Sequence, residues 1–203
     1  MDRKTHWEHI YTSKAAHEVS WYQPSAKLSL AMIAATGGGK DARIIDVGGG
    51  ASVLVDELLD RGFTRVTVLD LSAAALRRSR ERLGARAKDV TWIEADITAG
   101  TLSGPFDMWH DRAVFHFLTD PMDRQRYLET AHRAIPAGGH LIIAAFSLEG
   151  PPKCSGLDVV RYSPETLQQE VGPTFALIET RQETHTTPWN TQQAFLYTRF
   201  IKR

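Results

Sequence analysis

Three carboxylates close three short apolar runs in this chain: Asp46 in "ARIIDV", Asp70 in "TRVTVLDLS" and Asp96 in "DVTWIEAD". A fourth run, "FDMWHDR", ends in three polar residues, His110, Asp111 and Arg112. Behind the first acid stands a bare turn, "DVGGGAS", whose Gly48 and Gly50 let the backbone come close to a ligand. Carboxylates at successive strand ends can accept hydrogen bonds from the hydroxyls of a ribose and from an adenine amino group. Phosphate chemistry fits less well. "ATGGGKDA" lacks the first P-loop glycine, because Ala34 stands there, and Asp41 replaces the Ser/Thr after the lysine. The dinucleotide fingerprint fails at its third position, where Val53 replaces Gly or Ala. His6 and His9 have helical spacing but no third ligand partner, so no metal site is expected.

A crevice this acidic and this poor in Lys and Arg does not suit a pyrophosphate. It suits a nucleoside with a cationic side chain, namely S-adenosylmethionine. The D-x-G-x-G-x-S turn, Asp70, Asp96 and "FDMWHDR", in that order, resemble the class I S-adenosylmethionine-dependent methyltransferases from roughly Ala42 to Ser147 and on into the final hairpin. The resemblance implies that Asp46, Gly48, Gly50 and Ser52 form the cofactor turn, Ser52 standing where the family has its third glycine. It implies that Asp70 with Leu71 holds the ribose and Asp96 with Ile97 the adenine.

Two stretches resemble the thiopurine and tellurite-type methyltransferases more particularly: "HWEHIYTSKAAHEVSWYQ" and "WHDRAVFHFLTDPMDRQRYL". That likeness implies an N-terminal lid carrying Trp7, Tyr11 and Trp21 over the cofactor, with Asp111-Arg112 beside it. Protein lysine methyltransferases with Asp-Lys at this place are less similar. The loop "SLEGPPKCSGLDVVRYS" resembles the first group in position and in its proline pair. Arg112 is then the candidate to hold an acceptor anion, and His110 and Asp111 are the candidate proton acceptors. No other base is evident, which favours a soft acceptor such as sulfur, selenium or tellurium. The bland alternatives are specific. Trp7 and Tyr11, four apart, also suit helix packing; Arg112 also suits a structural pairing with Asp111; His116 suits the core; Cys154 suits a small loop residue. Trp21 and Tyr22 are adjacent and cannot easily share one core, so one of them covering a ligand is the better reading.

The elements that must position these residues alternate strand and helix from Arg43 onward, which implies βαβ units and a parallel sheet. "FALIETRQETH" and "QQAFLYTRFIK" have no helix between them and read as an antiparallel edge hairpin. The expected fold is α/β: a Rossmann-like, seven-stranded, mostly parallel sheet with that C-terminal hairpin and helices on both faces. One domain over 1–203 is expected, with a helical lid at 1–36, a cofactor-binding core at 42–147 and an acceptor-side loop, helix and hairpin at 148–203. The 203 residues are 42% hydrophobic and 24% charged, ordinary for a globular domain. Lys+Arg and Asp+Glu both number 24, so there is no basic excess for nucleic acid. "LRRSRERLGARAK" reads as a solvated helix face. A single cysteine, a polar N-terminus and no long apolar run predict a cytoplasmic protein without membrane contact. The expected partner is a small-molecule acceptor. The other functional classes kept open are a protein lysine methyltransferase and a non-catalytic cofactor sensor.

Overall fold

Each apolar run that ends at an acid is a strand. The computed structural model describes residues 2–203. Five parallel strands carry the site: β1 (Arg43–Val47), β2 (Arg65–Asp70), β3 (Val90–Glu94), β4 (Met108–Arg112) and β5 (His140–Phe146). A two-stranded excursion, β6 (Lys153–Cys154) with β7 (Leu157–Asp158), follows β5. The long strands β8 (Phe175–Thr186) and β9 (Gln192–Lys202) form an antiparallel hairpin, and β9 pairs antiparallel with β5. The sheet order is β3-β2-β1-β4-β5-β9-β8. Strand order reverses between β1 and β4, and open α/β sheets bind ligands in the crevice at such a reversal.

Helices cover both faces because the strands are apolar on both. One face buries Ile45, Trp109 and Ile143 against Tyr127 and Ala131 of α5 (Pro121–Ala134) and Leu167 of α6 (Pro164–Val171). The other buries Ile44, Met108 and Ile142 against α2 (Lys27–Ala34), α3 (Leu54–Asp60) and α4 (Ala73–Leu83). Full burial of each such aliphatic stabilises by about 1.5–3 kcal/mol. The helix limits follow local chemistry. Ser72 Oγ accepts from Ala75 N at the start of α4, and Gly84 ends it with φ +56°. Pro121 opens α5 behind the Asp120 cap.

The N-terminal helix α1 (Arg3–Ser13) lies across the C-terminal strand ends. Lys4 Nζ reaches Glu94 at 2.6 Å. Arg3 reaches Asp96 at 3.4 Å and Asp123 at 3.2 Å. Glu8 accepts from Ser72 Oγ at 2.7 Å and from Ala74 N at 3.2 Å, placing a carboxylate on the positive end of α4. A strap then runs from Lys14 to α2. Its anchors are far away in sequence: His185 Nε2 lies 2.7 Å from Ser20 O, and Gln23 Nε2 donates to Glu183 at 3.1 Å. Among the described residues, no helix is long and apolar enough to cross a membrane.

Candidate active site

The turn after β1 is built around Gly48, which sits at φ +71°, in the left-handed region. A Cβ there would meet Val114 Cγ2 at 2.0 Å. Gly50 is as constrained: an added Cβ would meet the Asp70 carboxylate and Ala75 Cβ at 2.5 Å. Asp70, buried at the end of β2, accepts from Gly50 N at 3.0 Å and from Ser72 N at 2.8 Å. One carboxylate thus ties the glycine turn to the start of α4. Burial pushes its pKa up to about 6, against the pull of those N–H donors. Asp96 caps the next turn, accepting from Thr98 N and Thr98 Oγ1 at 2.8 and 2.7 Å. Ser52 Oγ accepts from Leu54 N at 3.1 Å, at the start of α3.

These elements enclose a cleft of about 780 Å³, counting its open mouth. Gly48, Asp70, Leu71, Asp96 and Ile97 form its floor. Trp7, Tyr11 and Trp21 form its roof, with Phe117 at the side. The rings meet edge to face: Trp7 lies 5.5 Å from Trp21 and 5.0 Å from Phe117, centroid to centroid. Arg112 and Cys154 also line the cleft. A second cavity opens beyond Tyr11 and Trp21, with Asp46, Ser52, Tyr22 and His110 in its wall. His110 Nδ1 lies 2.7 Å from Asp46 Oδ1, both residues being buried.

Of the residues named from sequence, Trp7, Tyr11, Trp21, Gly48, Asp70, Leu71, Asp96, Ile97 and Arg112 therefore line one cleft, and Asp46, Ser52 and His110 line the cavity beside it. Gly50 lines neither but hydrogen-bonds Asp70. Asp111 is not brought to either. Strand alternation turns it to the opposite face from His110 and Arg112. Its Oδ2 accepts from Tyr127 Oη at 2.7 Å and Phe115 N at 3.1 Å, and its Oδ1 from Val114 N at 2.9 Å. The expectation that Asp111 touches cofactor or accepts a substrate proton is corrected by that geometry. Arg112 is largely engaged as well. Nε donates to Tyr197 Oη at 2.9 Å and Nη1 to Trp21 O at 3.2 Å, while Nη2 lies 3.7 Å from Glu183. The guanidinium also stacks over Phe195, 4.5 Å from its centroid. Its sequence neighbour Asp111 is not its partner.

His116 is a core residue: it is fully buried, its Nδ1 accepts from Phe146 N at 3.2 Å, and burial pushes its pKa down to about 3. Residues that sequence reasoning missed are Arg3, Val114 and Phe117, all lining the cleft. Arg3 reaches Asp96 across 93 positions, a distance that carries no local signal. Val114 and Phe117 follow Arg112 in an apolar segment and read simply as core.

The donor and acceptor set fits a nucleoside with a cationic tail. Asp70 and Asp96 face one cleft whose two cations, Arg3 and Arg112, are each engaged by protein acceptors, and among the described residues buried Asp46 Oδ2 and His110 Nε2 of the adjoining cavity have no hydrogen-bond partner. A glycine turn, two strand-end acids and an aromatic roof at the switch point define a class I S-adenosylmethionine-dependent methyltransferase fold. Residues 44–139, which hold the turn and all three acids, match the family model described as a methyltransferase domain. Over 102 residues the chain is 34% identical to methyltransferase srdJ of Neurospora crassa, covering 48% of this chain and 43% of that protein. The match thus spans under half of the relative's length. Two solved structures share the fold across nearly the whole chain. One was determined in connection with the conversion of a disulfide bond into a thioacetal group during echinomycin biosynthesis. It has a TM-score of 0.79 at 18% identity and covers 98% of this chain and 92% of its own. The other is the 1,6-didemethyltoxoflavin-N1-methyltransferase of Burkholderia thailandensis, with 1,6-didemethyltoxoflavin and S-adenosylhomocysteine bound. Its TM-score is 0.71 at 17% identity, covering 98% of this chain and 86% of its own.

Proposed function

We propose that this protein transfers a methyl group from S-adenosylmethionine to a small-molecule acceptor, with thiols and related chalcogen compounds ahead of phenols and amines. The observation that carries the reading is the convergence of Gly48, Asp70 and Asp96 under the Trp7, Tyr11 and Trp21 roof. When bound, the cofactor supplies a methyl on a positively charged sulfur, an electrophile that needs no further activation. The chain's own residues hold and orient. The Asp70 carboxylate receives the ribose hydroxyls, Asp96 and Ile97 receive the adenine, and the aromatic roof excludes water.

The acceptor enters at the end walled by Arg112, Phe117 and Cys154. Cys154 belongs to the "SLEGPPKCSGLDVVRYS" loop, which resembles that of the thiopurine and tellurite-type methyltransferases in position. Among the described residues, no free base stands there. Asp111 faces away, and burial raises the pKa values of both Tyr11 and Cys154, keeping them protonated near neutrality. A thiol acceptor needs no base, because a pKa of about 8.5 leaves a few per cent thiolate at neutral pH. The neighbour associated with thioacetal formation and the one holding 1,6-didemethyltoxoflavin support small acceptors, on sulfur and nitrogen respectively.

The test is a labelled-methyl screen of the purified protein against small thiols, selenols, phenols and amines, and against lysate proteins. Label on a small thiol is the expected result. Label on a protein band alone replaces this reading with a protein methyltransferase. Tight S-adenosylhomocysteine binding with no acceptor in any class replaces it with a cofactor sensor.

A further inference from the structure

Trp21 lines both cavities, together with Tyr11, and so stands across the passage between them. The strap that carries it is tied to helices at its two ends: Arg78 of α4 donates to Lys14 O, and Ser25 Oγ donates to Glu57 of α3 at 2.6 Å. Its middle is held from the other side of the molecule. Glu183 of β8 accepts from Gln23 Nε2 with both carboxylate oxygens, at 3.2 and 3.1 Å. His185, on the same strand, places Nε2 2.7 Å from Ser20 O. Arg112 donates to Trp21 O at 3.2 Å, and its own guanidinium is positioned by the hairpin. Its Nε donates to Tyr197 Oη, which donates in turn to Glu183 at 3.3 Å, and its Nη2 lies 3.7 Å from the same carboxylate. Glu183 is thus where the grip on Gln23 and the grip on Trp21 O meet. Its side chain is 20% exposed and that of Arg112 11%, so solvent screens this junction only in part. The hairpin lies outside residues 44–139, the segment that matches the methyltransferase domain.

We propose that Glu183 is a positioning residue for the cofactor roof: the C-terminal hairpin clamps the strap through it, and release of S-adenosylhomocysteine waits on that clamp opening. The inference rests on the cofactor reading above and assigns the rate of product release to an element outside the matched domain. The aromatic packing of the roof does not depend on Glu183. Trp21 meets Trp7 and Tyr11 edge to face at 5.5 and 6.1 Å, so a roof without the clamp still forms. What the clamp adds is resistance to lifting Trp21 and its neighbours away together. Its loss therefore acts on dissociation more than on association.

The test is stopped-flow release of S-adenosylhomocysteine from the full chain, followed by tryptophan fluorescence, with calorimetric Kd and thermal midpoint for each variant. Glu183→Ala and Gln23→Ala are each expected to speed release about tenfold or more, the scale of one hydrogen bond to a charged group, with association changed far less. Glu183→Gln keeps the shape and one acceptor oxygen and should fall between Glu183→Ala and wild type. The double variant should release no faster than Glu183→Ala alone, because the two residues form one clamp. Glu179→Ala separates this role from simple hairpin stability. Glu179 holds Arg199 and Arg181, each at 2.7 Å, on the same strand but makes no hydrogen bond to the strap. It should leave the release rate within about twofold of wild type whatever it does to the thermal midpoint. Release from Glu183→Ala within about twofold of wild type overturns the proposal, and multiplying effects in the double variant do so too. So does Glu179→Ala speeding release as much as Glu183→Ala, since hairpin stability is then the cause. Should Glu183→Ala not fold, Gln23→Ala decides alone, because it leaves the hairpin and Arg112 intact. A wild type that binds no S-adenosylhomocysteine removes the cofactor reading and this proposal with it.

Discussion

Lowering the pH from 7 to 5 should weaken S-adenosylhomocysteine binding about tenfold, through Asp70. Its carboxylate is buried, with two backbone donors, Gly50 N and Ser72 N, and a pKa raised to about 6. Ribose hydroxyls donating to it favour the charged form, so ligand binding lowers that pKa. Affinity is therefore nearly full by pH 7 and lost as the pH falls through 6. At pH 5 about one free molecule in ten carries the charged form, which gives the tenfold factor provided the bound pKa lies below 5. Unfolding does not mimic this loss. Asp70 and Asp111 both have folded pKa values raised to about 6, above the ordinary 3.8. Groups raised in this way contribute stability that is fully present below 3.8 and lost as the pH rises through 6. At pH 5 both therefore favour the fold more than at pH 7. The assay is calorimetric Kd at pH 5, 6, 7 and 8, on wild type and Asp70→Asn. Asn keeps one acceptor for the two backbone donors, whereas Ala would strand both and confound binding with folding. Asp70→Asn should bind more weakly at pH 8 and lose the slope. A Kd flat from pH 5 to 8 in the wild type, or an unchanged slope in Asp70→Asn, refutes the assignment of the ribose to Asp70.

The same geometry sets three other outcomes. Asp111→Ala strands Tyr127 Oη, Val114 N and Phe115 N, and relief of the buried charge offsets only part of that loss. A net destabilisation of about 3 kcal/mol is expected in urea unfolding, and an unchanged midpoint would reject the structural role. Gly48→Ala forces a side chain into the left-handed region and against Val114, at about 1–3 kcal/mol for the backbone strain alone, with a lower thermal midpoint and weaker S-adenosylhomocysteine binding. Deleting residues 1–23 should leave a sheet domain with a native-like circular dichroism spectrum that has lost most of its cofactor affinity. Affinity equal to the full chain would make the Trp7, Tyr11 and Trp21 cluster packing rather than a cofactor roof.

The architecture was legible because its signals are local. Apolar runs closing on acids marked β1, β2 and β3, Ser72 and Gly84 marked the limits of α4, and the missing helix between the last two runs marked the edge hairpin. The cleft floor was legible for the same reason, since parallel strands deliver their last residues to one edge of the sheet. Facing at the end of β4 was not read. Asp111 stands one residue from Arg112, yet the pleat sends it to Tyr127, 16 positions on. The anchors of the strap were beyond local reading altogether. Ser20 meets His185, 165 positions away, and Gln23 meets Glu183, 160 away. No spacing rule connects such pairs, because the hairpin must first pair with β5 to bring them near.

Arg112 is misread when its local chemistry is taken without those distant partners. Asp-Arg rather than Asp-Lys at the end of β4 favoured a small anionic acceptor. The structure supplies a different cause for the arginine. One planar fork reaches Tyr197 Oη on β9, Trp21 O on the strap and the Glu183 side of β8, while its face lies on Phe195. An ammonium could not reproduce that set, since it has neither the fork nor the flat face. Arg112 thus joins β4, the hairpin and the aromatic roof, and holds the Trp21 backbone in place over the cleft. Its charge is offset by Glu183, which weakens the case that it attracts an acceptor anion. The case for a soft acceptor then rests on the base that is missing: Asp111 turned to the core, Tyr11 and Cys154 held protonated by burial, and His110 committed with Asp46 to the second cavity. An acceptor that must shed a tightly held proton would find no side chain beside Arg112 to take it, whereas a thiolate arrives with its lone pair already free.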